Sequence, residues 1–139
     1  MVFLDSGFLI ALVVKNDQYH SAADEKLKEL IRDKVRLYIS NYVLQETITR
    51  IVYAGGARFV KPFVKVVDEL TDDGLLNVIW VDRNIHDLAV KTLYKYSDHP
   101  FSLVDASIIA LVKHLKLGKI YSTDASLKRT GLEVVVLGY

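Results

Sequence analysis

Short runs of β-branched and aromatic residues alternate along this chain with longer stretches of helical period. Val2–Leu4, Leu37–Ile39, Val78–Trp80, Ile120–Tyr121 and Leu132–Leu137 read as strands. Between them, apolar positions recur three and four residues apart. Phe8, Leu9, Leu12 and Val13 mark a first short helix, for which Ser6 is a good cap. Ala23, Leu27, Leu30 and Ile31 form the buried stripe of a second helix opening after Tyr19. Ser40 or Asn41 can cap a third that reaches Val52, before Gly55-Gly56 breaks it. A fourth uses Phe59, Val60, Phe63, Val64, Val67 and Leu70 and ends at the turn signal Asp72-Asp73-Gly74. Ile85, Leu88, Ala89, Thr92, Leu93 and Tyr96 keep a helical period until Ser97-Asp98-His99-Pro100 interrupts it. The next helix, Leu103 to Leu115, is apolar around most of its circumference, which places it at the centre of the core or against a partner subunit.

Strands alternating with helices in this way predict an α/β fold built from βαβ units around a mostly parallel sheet. The 139 residues suit one domain with a sizeable core. A hydrophobic fraction of 51% with only two prolines argues against disorder. Cysteine is absent, which excludes disulfides, thiolate metal sites and thiol nucleophiles. The opening Met1-Val2-Phe3-Leu4-Asp5 has no basic leader segment and no long apolar run, so the expectation is a cytoplasmic protein without a membrane span. A net charge of +1 weakens the reading of a purely electrostatic nucleic-acid scaffold. An enzyme whose acidic centre is offset by metal remains compatible with it.

Four acids stand at the punctuation points of this pattern. Asp5 directly follows the first strand. It can cap the next helix or, with Ser6 available for that task, serve as a ligand. Glu46 lies in the third helix, where it can pair with Arg50 one turn on, worth about 0.2–0.5 kcal/mol, or be held among apolar neighbours facing a cation. Asp105 sits three residues after Ser102, the spacing of a capping box, although the shorter Asp side chain reaches back less easily than Glu. Asp124 follows the fourth strand as Asp5 follows the first. In a parallel sheet the strand C-termini and the following helix N-termini share one edge, so all four carboxylates can meet there. Clustered carboxylates raise one another's pKa, and a hard divalent cation relieves them. All-oxygen ligation suits Mg²⁺ or Mn²⁺, an arrangement fitted to activating water against a phosphodiester.

With these residues in view, the chain resembles the PIN-domain ribonucleases, in particular the toxins of VapBC-type toxin–antitoxin pairs. The resemblance is carried by Val2-Phe3-Leu4-Asp5-Ser6, by Asp17-Gln18-Tyr19-His20-Ser21-Ala22-Ala23, and by Ile39-Ser40-Asn41-Tyr42-Val43-Leu44-Gln45-Glu46. It continues through Ser102-Leu103-Val104-Asp105-Ala106 and Ser122-Thr123-Asp124-Ala125-Ser126-Leu127. It implies a three-layer α/β/α sandwich and a metal site of Asp5, Glu46, Asp105 and Asp124, with Ser6 and Ser122 as hydroxyl support. It also implies an RNA substrate, a homodimer, and a small antitoxin protein laid across the active-site groove. One departure is that Ala125-Ser126-Leu127 follows Asp124, where such proteins often carry an acid or lysine and then Phe. Ser122 keeps the preceding hydroxyl, and Leu127 can fill the apolar slot.

The expected reaction is metal-dependent hydrolysis of RNA, with Asp5 and Asp105 as principal ligands. Glu46 and Asp124 bind directly, through water or at a second ion. Arg50, Lys128 and Arg129 are candidates for phosphate contacts, and Tyr19, Tyr42 and Tyr53 for base stacking. His20, His86, His99 and His114 are scattered and read as surface or packing residues. A dinucleotide-binding turn is excluded because Asp5-Ser6-Gly7-Phe8-Leu9 lacks the Gly-x-Gly-x-x-Gly pattern. An Asp5 phosphoenzyme of the haloacid-dehalogenase type wants a second Asp where Gly7 stands. Two further alternatives are a non-toxin PIN nuclease in RNA processing and a degenerate PIN-like module that binds RNA or protein without catalysis.

Overall fold

Val2, Phe3 and Leu4 are all buried, so the first strand is covered on both faces, the position of a central strand in a parallel sheet. The computed structural model describes residues 1–138. Its strands are β1 (Val2–Leu4), β2 (Leu37–Ser40), β3 (Leu76–Ile79), β4 (Lys119–Ser122) and β5 (Glu133–Val136). They form one sheet in the order β3-β2-β1-β4-β5, and every pairing is parallel. Among the described residues six α-helices flank it: α1 (Ser6–Val13), α2 (His20–Arg32), α3 (Asn41–Gly55), α4 (Val60–Asp72), α5 (Arg83–Lys95) and α6 (Leu103–His114). The expected three-layer α/β/α architecture is therefore present, with a sheet that is wholly parallel.

The strand order carries the main functional consequence. From β1 the chain steps outward through β2 to β3, then crosses back to place β4 on the other side of β1 and β5 beyond it. The order reverses between β1 and β4, which leaves a crevice at their C-terminal ends, where open α/β sheets bind ligands. The registers Phe3↔Ile120 and Leu4↔Tyr121 bring the residues after Leu4 and after Tyr121 side by side.

The apolar α6 proves to be a core element. Ala106 through Val112 are all buried within this single chain, and Ile108, Ile109 and Leu111 are among its most deeply enclosed side chains. Burial stabilises such residues by about 1.5–3 kcal/mol each.

Two edge elements differ from the sequence expectation. β3 spans Leu76–Ile79 rather than Val78–Trp80, because its pairing with β2 starts at Leu37↔Leu76. The chain then leaves the sheet, with the Val81 N–H donating to Asn41 Oδ1 at 2.6 Å and Trp80 73% exposed. β5 is shorter than Leu132–Leu137 by one residue at each end. Among the described residues no helix is long and apolar enough to cross a membrane.

Candidate active site

The site begins where β1 stops. The Asp5 N–H donates to Tyr121 O at 3.0 Å, a sheet bond that holds Asp5 extended (φ −79°, ψ 161°) and outside the helix. Asp5 is thereby the N-cap of α1, its Oδ1 accepting from the Ser6 N–H at 2.7 Å. The expectation that Ser6 caps this helix is corrected. Ser6 is the first helical residue, and its hydroxyl is released for other partners.

Those partners are Glu46 and Arg50. Ser6 Oγ donates to Glu46 Oε2 at 2.7 Å and accepts from Arg50 Nη1 at 2.9 Å. Instead of a simple pair along α3, the acid and the guanidinium are bridged by a hydroxyl from α1. Both are positioned by α3, whose N-cap is the fully buried Ser40, Oγ accepting from the Val43 N–H at 3.1 Å.

On the other side of Asp5 stands β4. Ser122, fully buried, donates from Oγ to Asp5 Oδ2 at 2.8 Å and accepts at the same oxygen from the Asp124 N–H at 3.0 Å. Asp124 itself turns into the segment that follows, its Oδ1 accepting from the Ser126 N–H at 2.9 Å and its Oδ2 from Ser126 Oγ at 3.1 Å. Leu127, 2% exposed, fills the apolar slot assigned to it.

Asp105 completes the set from the first turn of α6. Ser102 and Asp105 form a reciprocal capping box, Ser102 Oγ accepting from the Asp105 N–H at 3.1 Å and Asp105 Oδ2 from the Ser102 N–H at 3.0 Å. The aspartate does reach back, and only one of its oxygens is used in doing so.

All four acids line one cleft of about 250 Å³, together with Ser6, Arg50 and Ser122. Ser102 and Pro100 form part of its rim, and Gly7 and Thr123 close the wall between α1 and β4. Gly7 and Thr123 are site residues that sequence reasoning missed. A Cβ at Gly7 would lie 2.2 Å from Thr123 Oγ1, so the absence of a side chain lets the two segments touch. A glycine directly after a strand-end acid and hydroxyl was the available signal. Lys128 and Arg129 are exposed on the 3₁₀ turn Ser126–Thr130 and form no part of the cleft wall. His20 and His86 serve packing junctions, His20 Nδ1 bonding Ala11 O and His86 Nδ1 bonding the Tyr42 hydroxyl.

The electrostatics centre on Asp5. Burial pushes its carboxyl up to about 6, against the opposing hydrogen bonds from Ser122 and Ser6, and the negative charges of Asp105 and Glu46 push it further in the same direction. Among the described residues, no three acidic or histidine side chains are gathered closely enough to hold a metal ion as they stand. Each of the four carboxylates accepts a hydrogen bond from a protein donor. The donor chemistry nevertheless fits a hard divalent cation. The set is all oxygen, and among the described residues Glu46 Oε1 and Asp105 Oδ1 accept no protein hydrogen bond.

Comparison with known proteins agrees with this architecture. A "VapC ribonuclease" of Archaeoglobus fulgidus is 25% identical over 124 residues, covering 88% of this chain and 76% of the relative. The crystal structure of Mycobacterium tuberculosis VapC20, described as a Sarcin-Ricin loop cleaving toxin, superposes with a TM-score of 0.80 at 23% identity, covering 95% of this chain and 96% of that one. VapBC2 from Rickettsia felis, bound to a DNA fragment from its promoter, is similar with a TM-score of 0.72 at 12% identity, covering 99% of each chain. The profile of the PIN domain matches residues 2–132, and this chain belongs to the PIN domain family.

Proposed function

We propose that this protein is a divalent-metal-dependent endoribonuclease, the toxin of a toxin–antitoxin pair. The observation that carries the reading is a buried Asp5 in a cleft shared with Glu46, Asp105 and Asp124 at the switch point of a parallel sheet. Kinship with a relative named a VapC ribonuclease supports nuclease activity on RNA. Solved complexes titled VapBC, together with one titled FitAB, support a small antitoxin partner. The cytoplasm is the proposed location and a homodimer the proposed assembly.

Asp5 and Asp105 would hold the principal Mg²⁺ or Mn²⁺, with Glu46 and Asp124 ligating directly, through water, or at a second ion. When bound, such an ion lowers the pKa of water and neutralises charge on the phosphate. The chain's own residues prepare that chemistry. Ser122 fixes the Asp5 carboxylate through Oδ2, and Ser6 fixes Glu46 through Oε2. Arg50 brings a cation to the cleft mouth where a scissile phosphate would lie, so its contact positions the backbone without reading sequence. Ser102 holds Asp105 at one oxygen and leaves the other to the cleft solvent.

The test compares Asp5→Asn and Asp105→Asn with the parent on RNA at saturating Mg²⁺ or Mn²⁺. The expected outcome is loss of cleavage with unchanged circular dichroism; undiminished cleavage would sink the proposed centre. A second reading, a PIN-like module that binds without cleaving, is favoured by Asp124, whose two oxygens are both engaged by Ser126. Retained RNA binding with no cleavage by the parent protein at any divalent cation concentration would select it.

A further inference from the structure

A groove of about 400 Å³ lies between α5 and α6, outside the acidic cleft, and its charged wall is entirely basic: Lys91, Lys95, Lys113 and His114. Among the described residues no carboxylate lines it, and none of the three lysines forms a salt bridge. Asp82 and Asp87 line the adjoining depression beside Lys91, but Lys95 and Lys113 stand away from them, and in a chain whose net charge is only +1 the three ammonium groups around one groove are a local concentration that an anion would relieve.

Tyr96 organises two of them, Lys95 and Lys113. Lys95 Nζ and Lys113 Nζ lie 5.5 and 5.4 Å from its ring centroid, and Lys113 Nζ donates to its hydroxyl at 3.0 Å. These two lysine tails are thereby held rather than free to scatter, which lowers the entropy lost when they engage a ligand.

The segment Tyr96–Phe101 links the groove to the cleft rim. Tyr96 packs against His99 and Phe101, with centroids 6.0 Å away in each case, and Pro100 between them forms part of the cleft rim. On α6, Asp105 lines the cleft and Lys113, about two turns on, lines the groove. The axial rise between Asp105 and Lys113 is about 12 Å.

We propose that the α5–α6 groove is a second binding site for the phosphate backbone of single-stranded RNA, holding the strand as it leaves the acidic cleft. The site rests on the ribonuclease reading and extends it: Lys91, Lys95 and Lys113 set affinity for long substrates and take no part in bond cleavage. An acidic cleft repels a polyanion except at its metal and at Arg50, so a remote basic hold supplies the attraction the cleft lacks.

The experiment replaces Lys91, Lys95 and Lys113 together by Ala, and in a companion variant by Arg. RNA binding is read in an Asp5→Asn background with a long mixed-sequence single-stranded RNA, across a salt series. Cleavage is read with the same RNA and with a dinucleotide that carries only the scissile phosphate. The Ala variant is expected to raise KM for the long RNA roughly tenfold, and to flatten the slope of log affinity against log salt by about 2, the share of three phosphate contacts on a single strand. Its kcat, and its cleavage of the dinucleotide, are expected to match the parent, and the Arg variant to restore binding.

Unchanged affinity and salt slope in the Ala variant would overturn the proposal. So would equal loss on both substrates, which would place the lysines in the cleft's own work. Unchanged RNA binding with weakened retention of poly-glutamate would assign the groove to an acidic protein partner instead. If the parent cleaves no RNA, the ribonuclease reading fails, while the binding arm still decides the groove.

Discussion

Asp5 is held by two neutral donors, the Ser6 N–H and the Ser122 hydroxyl, and burial still raises its pKa from 3.8 to about 6. A folded-state pKa above the unfolded one means that the native protein keeps a proton the unfolded chain has lost. The native state therefore loses stability as pH rises from about 4 to about 6, by about 3 kcal/mol, and recovers none of it above that range. In divalent-free buffer at pH 8, Asp5→Asn is expected to melt at a higher temperature than the parent, and near pH 4 at the same temperature; a variant that is less stable at pH 8 would contradict the buried-charge reading. Added Mg²⁺ or Mn²⁺ should raise the parent's melting temperature and leave the variant's unmoved. A proton on Asp5 also competes with metal, so the half-saturating Mn²⁺ concentration for cleavage should rise about tenfold per pH unit below about 6. The acids themselves were legible in the sequence, because strand ends and caps are local features. Which of Asp5 and Ser6 caps α1 was not legible: the two are adjacent and equally able, and the decision falls to the bond from Asp5 N–H to Tyr121 O, made by a residue 116 positions away.

At the scale of elements, the site depends on how closely α1 approaches the end of β4. Gly7 permits that approach, since an added Cβ would meet Thr123 Oγ1. Gly7→Ala alone is expected to cost about 1–3 kcal/mol as Thr123 is forced from its rotamer. Paired with Thr123→Ala, most of that loss should disappear, a coupling that a double-mutant cycle by urea denaturation would measure. Additive losses would mean that the two residues do not meet. Ser40 does comparable work for α3, and Ser40→Ala should cost about 1 kcal/mol while loosening the helix that carries Glu46 and Arg50. Helices α2 to α5 were readable from apolar periodicity, whereas α1 and α6, buried on almost every side, were readable as apolar runs. The limits of β3 and β5 were not, since these are the edge strands, half exposed, and their ends are set by the register with β2 and β4 rather than by their own composition.

For the molecule as a whole, α6 joins core, acidic cleft and basic groove. Its middle is wholly buried, so Leu111→Ala is expected to lower stability by about 2–5 kcal/mol, read from denaturant midpoints, with Asp105 and Lys113 displaced together. The sequence by itself determined the alternation of strands and helices, the parallel sheet that alternation requires, and the four acids placed after strands or early in helices. These follow from side-chain periodicity, caps and turn residues, which act within a few positions of one another. Only the tertiary structure decided the strand order that opens a crevice between β1 and β4, and the role of Ser6 as a bridge between Glu46 and Arg50. It also decided that Asp124 spends both oxygens on Ser126, and that Lys91, Lys95 and Lys113 share one groove. The reason is range. A hydrogen bond from residue 6 to residue 46, or the burial that lifts the Asp5 pKa, is a property of packing between distant segments, and no local pattern of residues encodes it.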